Sequence, residues 1–441
     1  MKSFRFKGGI HPPYRKSLTH ECETIFLEPG EFVYIPLVQH IGAPCTPIVS
    51  PGDEVLVGQK IADSDAFVSS PIHSSVSGTV KEIKKMIHSN GTDVNTIVIE
   101  NDFRYKQIPE TKHNFIKIPA DKIREIIREA GIVGMGGAGF PAHIKFNPPK
   151  DKPIDCVIIN GAECEPYLSS DHRSMLEQPA DLIRGLEIVM KTVGSSRGVI
   201  AIEDNKTNAI EKITELLKKK KNIEVCTLKT KYPQGSEKHI IKAVLGRVVP
   251  SGKLPADVGV VVTNVDTAIS VKKALETGMP VIRRRVTVSG FGINNPGVFS
   301  VRIGTPFREV IEAAGGMTED VIKVIAGGPM MGTQIFDTDV PVIKTTSGIL
   351  ALTSKETAVY QEGPCLRCGK CVAACPMNLM PVNIAAAGRA EDSEKAYIFN
   401  AHDCIECGCC SYSCPSRRNL IESVRLAKNL AIVIARQKKS E

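Results

Sequence analysis

Eight of the fourteen cysteines repeat one spacing twice near the C-terminus: Cys365, Cys368, Cys371 and Cys375 before Pro376, then Cys404, Cys407, Cys410 and Cys414 before Pro415. Each run reads C-x2-C-x2-C-x3-C-P, which sets three thiolates of a tight loop at three corners of one 4Fe–4S cubane and sends the fourth to the neighbouring cluster. The expected ligand sets are therefore crossed: Cys365, Cys368 and Cys371 with Cys414, and Cys404, Cys407 and Cys410 with Cys375. Zinc tetrahedra use C-x2-C pairs and have no need of a doubled triple-plus-one pattern. Cys409 falls one residue out of register and reads as a bystander.

A second concentration of chemistry is glycine-rich. Gly134-Met135-Gly136-Gly137-Ala138-Gly139 satisfies G-x-G-x-x-G, but a dinucleotide fingerprint follows a strand and opens a helix. This one follows a helical pattern and runs into Phe140-Pro141, so the Rossmann reading fails on context. The glycines still imply close backbone approach to something flat or phosphorylated. Lys145 can neutralise a phosphate, and carboxylates such as Glu165 and Glu237 suit ribose hydroxyls while disfavouring a 2′-phosphate.

The elements that must carry these residues divide the 441-residue chain, too long for one ordinary core, into several domains. Residues 30–100 read as short strands broken by glycine and proline. Asp121 to Ala130 reads as a helix stopped by Gly131, followed by a strand at Asp155–Ile159, a helix around Arg173–Lys191, a strand at Gly198–Ile202 and a helix at Asn208–Lys218. Strand alternating with helix predicts a mainly parallel α/β layer. Arg285–Ser289, Gly297–Arg302 and a helix from Thr305-Pro306 to Gly315-Gly316 suit a small β-grasp module. After the cysteine runs, Asn419–Ala435 is a final helix. The expected domains are 1–110, 111–275, 276–345 and 346–441.

Composition limits the function classes. A hydrophobic fraction of 42% is that of a globular protein, and the longest apolar runs fall far short of the ~20 residues that span a bilayer. No N-terminal apolar stretch reads as a secretion signal, so the expectation is a cytoplasmic chain with reduced thiols. Nucleic-acid binding is not implied by the net charge of +8, much of which sits in the tail and in the helix-ending run Lys218–Lys221. The final helix presents Leu420, Val424, Leu430 and Ile434 as an apolar face beside Arg417, Arg418, Arg425, Lys428, Arg436, Lys438 and Lys439, a combination that suits an interfacial helix, a partner groove or packing on its own domain.

Resemblances add to this reading. Pro51-Gly52-Asp53-Glu54 and Ser75-Val76-Ser77-Gly78 resemble the barrel-sandwich hybrid of lipoyl and biotinyl carriers, but no lysine lies between Ile61 and Val80, so a structural barrel is expected. Gly134–Pro141 with Lys145, Asn160–Pro166, Tyr232–Glu237 and Thr263–Thr267 are similar, in order, to the four flavin-site motifs of the NADH-oxidising subunit of respiratory complex I. That similarity implies an FMN site at Gly134, Gly136, Lys145, Asn160, Glu163, Gly235 and Asn264, with Gly137, Gly139 and Tyr232 also cofactor-binding, and NADH held by Phe140, Glu165, Glu237 and Lys253. Met135, Ala162, Ser236 and Ala256 depart from that family's pattern.

The whole chain resembles the RnfC family, the C subunits of Rnf electron-transport complexes. Phe6-Lys7-Gly8-Gly9-Ile10-His11-Pro12-Pro13, Gln39-His40-Ile41-Gly42-Ala43-Pro44 and Gly327-Gly328-Pro329-Met330-Met331-Gly332 carry this together with the flavin loops and twin cysteine runs. The resemblance implies a multidomain α/β fold: barrel-sandwich hybrid, Rossmann-like FMN/NADH domain, SLBB-like β-grasp module and helical ferredoxin-like double-cluster domain. It implies a ferredoxin:NAD oxidoreductase component with noncovalent FMN, two 4Fe–4S clusters and NADH, coupled to sodium or proton translocation. Its partners would be the other Rnf components, including the ferredoxin-like RnfB protein, at the cytoplasmic face of the inner membrane, with the final helix docking on them. The alternatives are a cobalamin-reductase type component of a microcompartment, or a bare electron relay with a degenerate flavin loop. His11 and His40 are expected to be structural.

Overall fold

The computed structural model describes residues 4–357 and 360–440, with side chains as far as Lys438; the side chain of Lys439 lies outside the described residues. In the N-terminal module, Phe32–Pro36, Asp93–Asn101, Gly78–Ile87 and Glu54–Val55 form an antiparallel sheet in that order. A second small sheet pairs Thr46–Pro47, Lys60–Asp63 and Ile72–His73. Between them Val33, Ile35, Ile61, Ile72, Ile97 and Ile99 are fully buried.

Four parallel strands build the central domain, in the order Ile223–Leu228, Arg197–Glu203, Cys156–Gly161 and Val260–Asn264. Their apolar runs are continuous because helices cover both faces of the sheet. The expected helix around Arg173–Lys191 is two helices, Ser170–Glu177 and Pro179–Val193. Pro179 is the reason: its ring crowds the residue before it, and Gln178 sits outside the helical region at φ −129°, ψ 44°.

A third sheet runs Thr24–Leu27, Gly297–Arg302, Arg283–Ser289, Gly348–Thr353, Val321–Ala326 and Thr333–Ile335, packed on the helix Phe307–Ala313. It takes in strands from outside the expected 276–345 span. Gly348–Thr353 is buried at every position and lies between Arg283–Ser289 and Val321–Ala326, as a wholly apolar run requires.

The last domain is helical. Pro381–Arg389 and Ser393–Ile398 pack on the final helix, Leu420–Ser440. Here the sequence expectation is corrected: Leu420 and Val424, with Ala427 and Ala431, are buried against Ile384, Ala385, Ala387 and Ala396 of the same domain, and Leu430 packs at the margin. The polar side is also engaged, since Arg425 and Lys428 pair with Glu406 at 3.1 and 2.6 Å. An amphipathic stripe declares that something covers it, not what does.

Candidate functional site

At the carboxyl ends of the parallel strands, where open α/β sheets collect their ligands, lies a cavity of about 410 Å³. Gly134 to Phe140 form one side of it, and the loop after Cys156–Gly161 forms the floor. The glycine loop is pinned at its base by an antiparallel bridge between Val133 and Pro141. Gly136 passes so close to Asn264 that a Cβ there would stand 2.8 Å from its Nδ2.

Gly134, Gly136, Gly137, Gly139, Phe140, Lys145, Asn160, Glu163, Glu165, Tyr232, Gly235, Glu237 and Asn264 all line this one cavity. Several are tied to one another. Asn160 donates through Nδ2 to Gly235 O at 2.7 Å and accepts from the Ala162 amide at 3.2 Å, joining two loops. Glu163 accepts from the Asp171 amide at 2.9 Å and Ser170 Oγ at 3.1 Å, and so caps the start of Ser170–Glu177. Asn264 caps Val265–Thr277, accepting from the Asp266 amide at 2.9 Å, and directs that helix start into the cavity. Lys145 and Glu237 form an ion pair. Lys253 is exposed and is not among the lining residues.

Glu165 is a half-buried acidic residue of the cavity lining. It accepts from the Met330 amide at 3.0 Å, so the Gly327–Gly332 motif packs directly on it. Tyr232 donates to it at 3.5 Å, and burial pushes its carboxyl up to about 7.

Two charged lining residues escaped the sequence reading. Arg284, buried on the strand Arg283–Ser289, donates to Met135 O at 3.3 Å and Asp266 at 2.8 Å. It brings a guanidinium to the wall beneath Met135, the position where the flavin-loop pattern has its own arginine. The alternation of Arg283, Arg284 and Arg285 along a strand was the available signal. Asp171 accepts from Asn264 Nδ2 at 2.7 Å, and burial beside Glu163 and Asp266 raises its carboxyl well above the usual range.

The cysteine runs meet the cavity from the other side. Cys375, Cys404, Cys407, Cys409 and Cys410 line a single apolar hollow with Ile384, Ile405 and Val424. Five thiols with no carboxylate or imidazole among them make a soft donor set that suits an iron–sulfur site, and four of them are the expected ligand set, with Cys409 the fifth. Burial raises the Cys371 thiol, and nearby Cys414 adds to that rise, while Cys365 and Cys368 are exposed. Ile405 and Cys407 line both the thiol hollow and the glycine-loop cavity, so the two share a wall.

Family models match along the chain as an RnfC barrel sandwich hybrid domain at 4–104, a Nuo51 FMN-binding domain at 127–273, an SLBB domain at 285–334 and a 4Fe-4S dicluster domain at 364–417. The C subunit of the Na(+)-translocating ferredoxin:NAD(+) oxidoreductase complex of Acetobacterium woodii is 48% identical over 441 residues, covering 100% of this chain and 99% of that one. The C subunit of the proton-translocating complex of Clostridium ljungdahlii is 46% identical, covering 90% and 86%. The C subunit of an ion-translocating oxidoreductase complex of Rhodobacter capsulatus is 42% identical, covering 90% and 77%.

Proposed function

The chain belongs to the RnfC family, the C subunits of the ion-translocating ferredoxin:NAD oxidoreductase complexes, and from that premise we propose how its residues serve electron transfer between NADH, FMN and two 4Fe–4S clusters. The observation that carries the proposal is the wall shared at Ile405 and Cys407 between the glycine-loop cavity and the thiol hollow. A flavin held by the residues of the first cavity would supply the exchange between paired electrons and single ones that nicotinamide on one side and cubanes on the other require.

The chain's own residues supply binding and electrostatics. The glycine loop lets backbone approach a flat ring, and the start of Val265–Thr277 with Lys145 offers positive charge to a phosphate. A bound phosphate would compete with Glu237 for Lys145, leaving Glu237 available to a ribose hydroxyl. Glu165 and Glu237 together repel a 2′-phosphate. Asp171 accepts from Asn264 at Oδ2, and burial beside Glu163 and Asp266 raises its carboxyl above the usual range. The crossed ligand sets are Cys404, Cys407, Cys410 with Cys375, and Cys365, Cys368, Cys371 with Cys414, supported by the lining of the thiol hollow and the nearness of Cys371 to Cys414.

The relatives are named for the ferredoxin:NAD reaction, so neither cobalamin reduction nor a flavin-free relay is carried further. One of them translocates sodium and another protons at nearly equal identity, so the coupling ion is not chosen by likeness. Among the described residues no helix is long and apolar enough to cross a membrane, and the chain is a peripheral component of its membrane complex. It works at the cytoplasmic face, where thiols stay reduced.

The test is the flavin, iron and sulfide content of the anaerobically purified chain, with its absorbance followed after NADH and after NADPH. Bleaching of both flavin and clusters by NADH, and slower bleaching by NADPH, is expected. A chain without flavin, or equal rates with the two nucleotides, would contradict the reading.

A further inference from the structure

The motif Phe6-Lys7-Gly8-Gly9-Ile10-His11-Pro12-Pro13 has no place in the cofactor sites, yet it runs between them. On its flavin side, Ile10 and Tyr232 form an antiparallel bridge, with N–H···O distances of 2.8 and 3.0 Å. Tyr232 lines the glycine-loop cavity. Lys231 Nζ donates to Phe6 O at 3.1 Å. On its other side, the Gly9 amide donates to Ala374 O at 2.8 Å, beside the proposed ligand Cys375.

Gly8 and Gly9 sit at φ 70° and 78°, in the left-handed region. A Cβ on Gly8 would collide with the backbone carbonyl of Cys375, and one on Gly9 would stand 2.6 Å from Tyr232 O. The segment is thus seated with no room for a side chain on either face. A third contact closes the same gap. The Phe6 ring packs on His239 with centroids 4.5 Å apart, and His239 Nε2 lies 3.0 Å from Pro376 O.

We infer that this N-terminal strap is a positioning device for electron transfer: its two glycines key the Ala374–Pro376 loop to the Tyr232 segment and so fix the spacing between the flavin cavity and the nearer cluster. Gly8, Gly9 and Phe6 touch neither cofactor site's reacting atoms, so they are positioning residues. The inference rests on the flavin and cluster reading above. In the step concerned, one electron passes from the reduced flavin to an oxidised cluster, the electron supplied by NADH oxidation, with no bond made or broken between them.

The experiment is stopped-flow reduction of the complete holoprotein by NADH, reading flavin and cluster absorbance separately, for the unmutated chain and Gly8→Ala. Flavin, iron and sulfide content and the rate of flavin bleaching should be unchanged. Cluster bleaching should slow roughly tenfold or more, the scale on which a misplacement of about 1 Å acts in a positioned reaction. An unchanged cluster rate in fully loaded Gly8→Ala would overturn the inference. Should that variant lose iron, Phe6→Ala decides, because it removes the ring on His239 and adds no atom beside Cys375: slowed cluster bleaching is again expected, and a normal rate overturns it. Absence of flavin or iron from the unmutated chain would instead refute the underlying functional reading.

Discussion

At the scale of single residues, each cofactor site hinges on an atom that has no substitute. Gly136 lies against Asn264 with no room for a Cβ, so Gly136→Val should abolish flavin retention while iron persists, measured as flavin and iron per chain. Cys375 lies with Cys404, Cys407 and Cys410 and not with its neighbours in sequence. Cys375→Ser should therefore alter the electron paramagnetic resonance signal of the cluster held by Cys404, Cys407 and Cys410 and spare the other. An effect confined to the Cys365 set would argue for uncrossed ligation. Most of these residues were legible because spacing along a loop is a local property. Arg284 and Asp171 were not, since they reach the cavity through strand pairing and helix capping that no nearby residue announces. Lys253, placed by resemblance, stays in solvent outside the lining.

At the scale of elements, the final helix is the instructive one. Gly388 faces it so closely that a Cβ would collide with the carbonyl of Ser423, and two helices meet there almost backbone to backbone. Gly388→Ala should cost about 1–3 kcal/mol by overpacking. It should release iron at a lower temperature than in the unmutated chain, with flavin binding untouched; equal release temperatures would mean that the helices part without consequence. Truncating the chain before Leu420 should likewise cost clusters, because Ile384, Ala385 and Ala387 lose their cover. The helix itself, the β-grasp pattern and two of the four parallel strands were readable from periodicity, whereas Ile223–Leu228 and Val260–Asn264 were not placed. The break at Gln178 was readable too, from the proline that follows it. What covers an apolar stripe is a long-range fact, and the sequence pattern leaves it open.

At the scale of the whole molecule, Lys344 joins three modules. Leaving the β-grasp sheet, it sends a fully buried Nζ to Pro71 O of the barrel at 2.6 Å and Gly131 O of the central domain at 2.7 Å, and its amide donates to Gln39 at 3.2 Å. Burial lowers its pKa from the usual 10.5 to about 7. Between those limits the unfolded chain binds the proton and the folded chain releases it, so this residue's contribution to stability rises with pH. Thermal unfolding of the unmutated chain and Lys344→Met, compared from about pH 7 to about pH 10, should show the unmutated chain gaining on the variant, by at most about 1.4 kcal/mol as the pH rises by one. A constant difference would mean the ammonium is not desolvated. His40, held between Ile41 O and Ser70 O at 3.1 Å each, belongs to the same seam. The N-terminal strap has a consequence in time as well as in space. It leaves the ribosome long before Ala374, which its Gly9 amide must meet, is made. A nascent chain can fold its flavin domain, since domains fold as units during synthesis, and can seat the strap on Tyr232, yet it lacks the second seat and the wire to the clusters. Synthesis of the cluster domain is thereby the event that closes the circuit.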